Sequence, residues 1–403
     1  MEFIRNVTGH IKRIVMAIAK NKYFRRFAPL GAVAVIALVS LVMCMSGQEN
    51  EPYVEPDPLP VISSTEPVTT TPPVQESEPV PPAVIDDPDP DPEPDLPVNP
   101  LTGIPTEEDI SRHRPFAVMI NNIKKANPQL GISKADIIYE ILVEGGITRM
   151  LAIFQDVSDV GVIGSVRSSR LYYVDIAQSY DAFYVFAGGS PGAYNALSNR
   201  DITKFDGVAG PRSEIFYRDS HRRSTMGYEH SLCTTGERIM ERMPNYDIRK
   251  EHEEGYVRAL SFAEDGTPEG NAPAVDFSVK FGGSSKTTSF KYNKEDHLYY
   301  VSQYDKDYRD GNDDIQVAVT NILILRTSIS GIPGDNAGRL DVKTTGQNTG
   351  YFICGGKYIE IDWSRDDLTS QFIYSLKDGS ELILGQGKTY ICIVSNSVDV
   401  ILG

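Results

Sequence analysis

Apolar and polar residues change their pattern three times along the chain. An apolar run spans Ala28–Met45, with Pro29, Gly31 and Ser40 as its only soft interruptions. Its 18 residues approach the ~20 that a helix needs to cross a bilayer, and it shows no amphipathic face of the kind a core helix has. Residues 47–98 then lack any periodic hydrophobic pattern, and 16 of the 26 prolines fall in residues 51–100. Runs such as Asp86-Asp87-Pro88-Asp89-Pro90 cannot sustain helix or sheet, because proline has no N–H to donate. Polyproline II is the expected local state, so this stretch reads as an extended spacer.

From residue 99 the pattern becomes that of a folded protein. Phe116–Asn121 reads as a strand, and Ala135–Glu144 and Ile147–Gln155 as two strands meeting at Gly145-Gly146, with a helix as the alternative for the first of them. A short strand at Val160–Ile163, a helix over Ser168–Ser179, a strand at Asp181–Ala187 and a helix from Pro191 to Ser198 follow. Beyond Asn271 nearly everything alternates with period two: Phe277–Phe281, Thr288–Tyr292, Leu298–Gln303, Ile315–Arg326, Gly350–Cys354, Lys357–Trp363, Gln371–Leu376 and Tyr390–Ser395. Gly355-Gly356 and Asp378-Gly379 are hairpin-turn signals. The expected class is α+β, with an N-terminal α/β layered domain over 99–265 and a mostly β C-terminal domain over 271–403.

Charge divides the chain in the same places. Residues 1–50 carry seven Lys/Arg against two acids, residues 51–100 carry twelve acids and no Lys/Arg, and the remainder holds a net charge of −9 out of −16. The cations of residues 1–26 keep that end cytoplasmic, so the segment 27–46 is a transmembrane or lipoprotein signal segment and everything after residue 46 is extracytoplasmic. Leu41-Val42-Met43-Cys44 resembles a bacterial lipobox with Cys44 as the lipidated residue, although Met43 is larger than usual there. Lipid anchor and uncleaved signal anchor both give the same topology. An acidic body is a poor fit to nucleic acid, which needs Lys/Arg to displace counterions.

Four clusters could carry chemistry. Arg167, Ser168 and Arg170 stand where a helix begins, and free N–H groups with bidentate guanidiniums suit a carboxylate or phosphate. The competing reading pairs these arginines with Glu140, Glu144 and Asp175. Gly188, Gly189 and Ser190 precede Pro191, with Ser190 as N-cap and the glycines open to a close ligand. If the preceding strands run parallel, both helices open at one sheet edge. Glu140 and Glu144 could act as acid and base; in a two-residue hairpin residue 142 opposes 149, which puts Arg149 on the face of Glu140 and Glu144 and makes an ion-pair network the alternative. Arg218, Asp219 and His230 lie in a basic, loop-like stretch with His230 a candidate base.

The six histidines show no zinc-type spacing, and neither a metal nor a cofactor is expected. Cys354 and Cys392 fall in apolar strands, where a disulfide between neighbouring strands and two free core thiols are both open. Cys233 near His230 is a weaker candidate nucleophile.

The ordered set Asn99-Pro100-Leu101-Thr102-Gly103, Arg114–Asn122, Ala135–Arg149, Val166-Arg167-Ser168 with Arg170 and Asp175, Ala187–Ser190, Phe216–Asp219 and His230 resembles the YerB-like lipoproteins, bacterial envelope proteins of uncharacterised function. Gly338–Asp341, Gly350-Tyr351-Phe352 and Gly355–Ser364 look like the family's β domain. Ser165 and Leu171 depart from its pattern, where proline is usual. The resemblance implies a two-part extracytoplasmic fold, usually lipid-anchored, and no reaction. Two readings follow. One is an anchored protein that binds an anionic cell-envelope component, a cell-wall glycan or anionic polymer. The other is an envelope hydrolase or transferase for a glycan or phosphate-linked unit, using Glu140 or Glu144 in an arginine-lined cleft.

Overall fold

The fold is built on one mixed sheet, seen in a computed structural model that describes residues 96–210, 213–270, 272–282, 286–398, 400 and 402. The basic segment, the apolar run with Cys44, and the spacer up to residue 95 lie outside the described residues. The chain is sheet-rich. The main sheet has ten strands: β1 (Phe116–Asn122), β2 (Ile137–Leu142), β3 (Thr148–Phe154), β4 (Phe183–Phe186), β5 (Lys204–Asp206), β6 (Asn321–Thr327), β7 (Gly346–Cys354), β8 (Lys357–Arg365), β9 (Ile373–Ser375) and β10 (Thr389–Ser395). Their spatial order is β9-β8-β7-β6-β10-β2-β3-β1-β4-β5. The segments 99–265 and 271–403 therefore contribute five strands each, and they meet where β10 pairs in parallel with β2 on one side and β6 on the other.

Burial on both faces explains the unbroken apolar character of β1 and β3, every residue of which is buried. One face, with Val118, Ile120, Ile138, Met150 and Ile324, packs against Phe277, Phe290 and Tyr299 of a smaller five-stranded sheet. The other, with Ala117, Met119, Tyr139, Ile141 and Leu151, packs against helices α1 (Leu171–Ser179) and α2 (Pro191–Asn199). Strands of the smaller sheet alternate exposed and buried, as in Asp276–Lys280, since only one side meets the core.

The observed elements depart from the sequence reading at particular points. The turn between β2 and β3 is not a two-residue hairpin. Gly145 and Gly146 both adopt positive φ, the Val143 N–H donates to the Ile147 carbonyl, and Ile141 opposes Arg149 while Leu142 opposes Thr148. A shift of one residue flips a side chain to the other face, so Arg149 lies opposite to Glu140 across the sheet. Helix α1 starts three residues late, at Leu171, with Arg170 as an N-cap that makes no side-chain cap bond. Ser168 and Ser169 do not cap it, because this stretch is extended: the Ser169 N–H donates to the Gly188 carbonyl and the Ser190 N–H to Ser169. The strand near 160–163 (Val162–Gly164 in the structure) pairs antiparallel with Leu232–Thr235 in a separate small sheet, outside the ten strands. The starts of α1 and α2 are still side by side, through the parallel bridge Ser169–Gly189.

Cysteines 354 and 392 are both buried and free. Strand β6 separates β7 from β10, and the two thiols belong to cores on opposite faces, which excludes the bridge. Cys233 is also buried, and desolvation pushes its thiol up to about 11, so it is no nucleophile.

Close backbone approach makes one glycine critical. A Cβ at Gly236, the first residue of helix α3 (Gly236–Arg242), would stand 1.5 Å from the Val157 carbonyl oxygen. Gly236→Ala is expected to cost about 3 kcal/mol in urea unfolding. Gly192→Ala, which meets only the Leu171 Cβ at 3.9 Å inside α2, is expected to stabilise by roughly 0.5–1 kcal/mol, and an equal effect of the two would contradict this packing.

Candidate functional site

Glu140 sits in the middle of β2 with no exposed surface. Its Oε1 accepts from Asn122 Nδ2 (2.8 Å) and Thr148 Oγ1 (2.6 Å), and its Oε2 from Thr288 Oγ1 (2.8 Å) and Tyr390 OH (2.6 Å). The Lys286 ammonium, 2% exposed, lies 3.4 Å from Oε1. Burial pulls the Lys286 pKa down, and Glu140 opposes that pull. A carboxylate so enclosed has no face left for a substrate, so the candidate acid or base at Glu140 is a hub of the interior instead.

Glu144 occupies the turn after β2, on the other side of the sheet, and meets the arginines. Arg170 grips it with Nε at 2.9 Å from Oε2 and Nη2 against Oε1, while Arg149 Nη2 stands 3.8 Å from Oε1. Burial alone would raise the Glu144 pKa, but the Arg170 hydrogen bonds and the charges of Arg170 and Arg149 outweigh it, and the net shift is downward. Arg149 also donates to the Ser168 carbonyl at 2.7 Å, so Ser168 serves the site through its backbone. The guanidinium of Arg149 is buried, and desolvation followed by repulsion from Arg170 lowers its pKa to about 10.

Arg167 completes the group. Its Nη1 donates to the Glu229 carbonyl at 2.6 Å, its Nη2 stands 3.6 Å from the exposed Glu229 carboxylate, and its Nε is buried with no hydrogen-bond partner among the described residues. Desolvation lowers its pKa too, with Arg170 adding repulsion. Arg149 and Arg170 thus flank the half-buried Glu144 carboxylate, and Arg167 beside them is paired with Glu229. Arg170 also lines a cavity of about 310 Å³ with Tyr172, Ser190, Ile332, Arg339 and Val342. Asp175 lines that cavity as well, but pairs with Arg200 at 2.6 Å rather than with Arg167 or Arg170.

Other expected site residues are committed to the fold. The Gly188 N–H donates to Asp206 Oδ1 at 2.9 Å, and the Ser190 hydroxyl accepts from Ala193 N at 3.2 Å as the α2 cap. Gly189 is the middle of this occupied turn, so the Gly188–Ser190 backbone is no open cradle. Arg218 stacks over the Tyr228 ring at 3.5 Å and donates to the Tyr228 carbonyl, next to the Glu229 carbonyl that Arg167 uses. Asp219 caps the helix Ser220–Thr225 by accepting from Arg222 N. His230 is buried, with Nδ1 3.0 Å from Asn121 Nδ2. An amide donor there makes Nδ1 the acceptor and leaves the proton on Nε2. Desolvation and then Arg167 lower its pKa, so the ring is neutral at pH 7.

The sequence reading missed Lys286, Thr288, Gln303 and Tyr390 around Glu140, and Glu229 beside Arg167. Long-range register brings them in, and no local spacing signals it. Among the described residues, no group of three or more His, Cys, Asp or Glu is arranged to hold a metal ion, and no helix is long and apolar enough to cross a membrane. Glu140 is thus enclosed, Glu144 is held by Arg170, and the Nδ1 lone pair of His230 is taken by Asn121.

Comparison with known proteins agrees with this two-part chain. Residues 101–249 match the N-terminal domain, and residues 277–391 the C-terminal domain, of a protein of unknown function (DUF3048). A Bacillus subtilis (strain 168) protein named as a candidate lipoprotein, YerB, is 33% identical over 299 residues, which are 73% of this chain and 85% of the relative. The crystal structure of YerB from Bacillus subtilis superposes with a TM-score of 0.64 at 31% identity, covering 74% of this chain and 96% of that one.

Neutralising Glu144 tests the charge balance. Its folded pKa is depressed, so its contribution is complete above the unfolded value near 4.3 and lost as pH falls below it. Glu144→Gln is expected to cost about 2 kcal/mol at pH 7 and less at pH 3, by urea unfolding at each pH. A loss that is equal at both would show that the carboxylate charge is irrelevant there.

Proposed function

Since the chain belongs to the DUF3048 family of YerB-like proteins, we propose that it is a membrane-anchored extracytoplasmic protein that binds an anionic component of the cell envelope. One observation carries the reading: Arg149 and Arg170 share the Glu144 carboxylate in a partly dehydrated site, Arg167 stands beside them against Glu229, and its buried Nε has no hydrogen-bond partner among the described residues. Guanidiniums are planar forks matched to carboxylate and phosphate oxygens. Removing them from water weakens screening, so an incoming anion gains more there than at an open surface. The repulsion among the three falls when it binds. Lys125, Arg218 and Arg223 add positive charge around the Gly227–His230 turn, which favours a polymeric anion over a lone ion.

Anchoring rests on the apolar run and on the lipoprotein name of the relative. Cys44 is the proposed lipidation site, with the acidic spacer holding the folded part away from the bilayer. Mass spectrometry of the protein from membranes is expected to find a lipid-modified Cys44 at the mature N-terminus. An unmodified Cys44 with its upstream sequence intact would establish the uncleaved anchor instead.

Binding is measured on the detergent-solubilised chain with polyglycerol phosphate and with muropeptides, at low and high salt. An Arg167→Ala/Arg170→Ala variant is expected to bind at least tenfold more weakly, as the loss of two charge-assisted contacts requires. Added salt is expected to weaken the unmodified protein more than the variant. Equal affinities for the two would end the proposal.

A further inference from the structure

Lys286 and its surroundings form a closed ring of polar contacts that anion binding does not use. Lys286 Nζ donates to Gln303 Oε1 at 2.6 Å. The same carboxamide donates through Nε2 to Tyr390 OH at 3.3 Å, and Tyr390 OH donates to Glu140 Oε2 at 2.6 Å. Glu140 Oε1 closes the ring, 3.4 Å from Lys286 Nζ. All four residues are at most 2% exposed. Lys286 immediately precedes the strand Thr287–Asn293, whose Thr288 opposes Gln303 in the neighbouring strand Leu298–Gln303, so Lys286 reaches Gln303 diagonally.

We propose that Lys286 and Gln303 are joined by an intramolecular amide bond, with Glu140 and Tyr390 moving the protons. The geometry of the contact is that of a nucleophile already at its electrophile: with a C=O length of about 1.2 Å, Nζ is within about 3.8 Å of Gln303 Cδ. Glu140 Oε1 takes one proton from the ammonium, as burial of Lys286 favours. The neutral amine adds to Cδ. Tyr390 gives its proton to Nε2 and regains one from Glu140 as the carboxyl group turns its protonated oxygen towards the phenol, the Cδ–Nε2 bond breaks, and ammonia leaves. Glu140 then takes the second proton from Nζ and keeps it, donating to the new carbonyl. Two protons leave Nζ, one departing with ammonia and one remaining on Glu140, so no oxidant, reductant or other reactant is needed. The product replaces a buried ion pair with neutral groups, which removes the desolvation cost of two charges.

Tryptic mapping of the full chain extracted from membranes in detergent tests this. Trypsin cannot cleave after an acylated lysine, so the expected product is a branched peptide joining residues 281–291 to 295–306, about 17 Da lighter than its two parts through loss of ammonia. The link is expected to survive hydroxylamine. Separate linear peptides, with cleavage after Lys286, would overturn the proposal, and so would a hydroxylamine-labile link at Thr288 or Tyr390, whose hydroxyls also lie near Gln303. Glu140→Gln is expected to restore the missing mass and the linear peptides. Tyr390→Phe, which keeps the ring in the core, is expected to leave most of the protein unlinked even where the Glu140 variant does not fold. A branched peptide that forms equally in both variants would refute the assigned proton path.

Discussion

The buried carboxylate of Glu140 is the constraint on which the rest of the molecule depends. Taking such a charge out of water costs several kcal/mol unless donors and a counter-ion replace the lost hydration. Here four hydrogen bonds and Lys286 do so, and they come from β1, β3, β10 and the smaller sheet. None of these segments can be displaced without leaving a bare charge in the core. The network therefore fixes the register of β2 against β3 and β10, and it seats the smaller sheet on one face. Apolar packing on that face would tolerate small slips. The polar hub would not.

The arginine site follows from this placement. With β2 in register through Glu140, the chain emerges at Val143 and turns so that Glu144 reaches the opposite face. There it meets Arg149 from β3 and Arg170 from the start of α1. Two glutamates four residues apart thus lie in different environments. One is a structural centre sealed from solvent. The other, half-buried, is the negative charge that lets the guanidiniums of Arg149 and Arg170 share a small space.

Much of the architecture was readable from the sequence. Leu298–Gln303 matches its strand end for end, and Gly355-Gly356 makes the expected hairpin, because strict alternation and paired positive-φ glycines are local signals. Helix α2 with Pro191 first and Ser190 as cap is equally local. The errors came where one residue of loop length decides an outcome. A five-residue turn in place of two moved Arg149 across the sheet and broke its expected kinship with Glu140. Long-range partners were invisible for a different reason: Lys286 and Tyr390 are 146 and 250 positions from Glu140, and no spacing rule links them. Of the proposed site, the arginines were found by their charge against an acidic background, while the Gly188–Ser190 turn was misread because Asp206, far along the chain, occupies it.

One feature of the sheet bears on how the protein is made. The strand that occupies its middle, β10, is synthesised long after its partner β2. Synthesis runs from the amino end, so β2 is made first and waits, its edge unpaired and strongly apolar, until β10 has followed. A truncated product lacking the final fifteen residues would lose the joint between the two halves rather than a frayed end. Closure of the main sheet in this sense reports that the chain has been made as far as β10; short of that point the seam stays open to proteases.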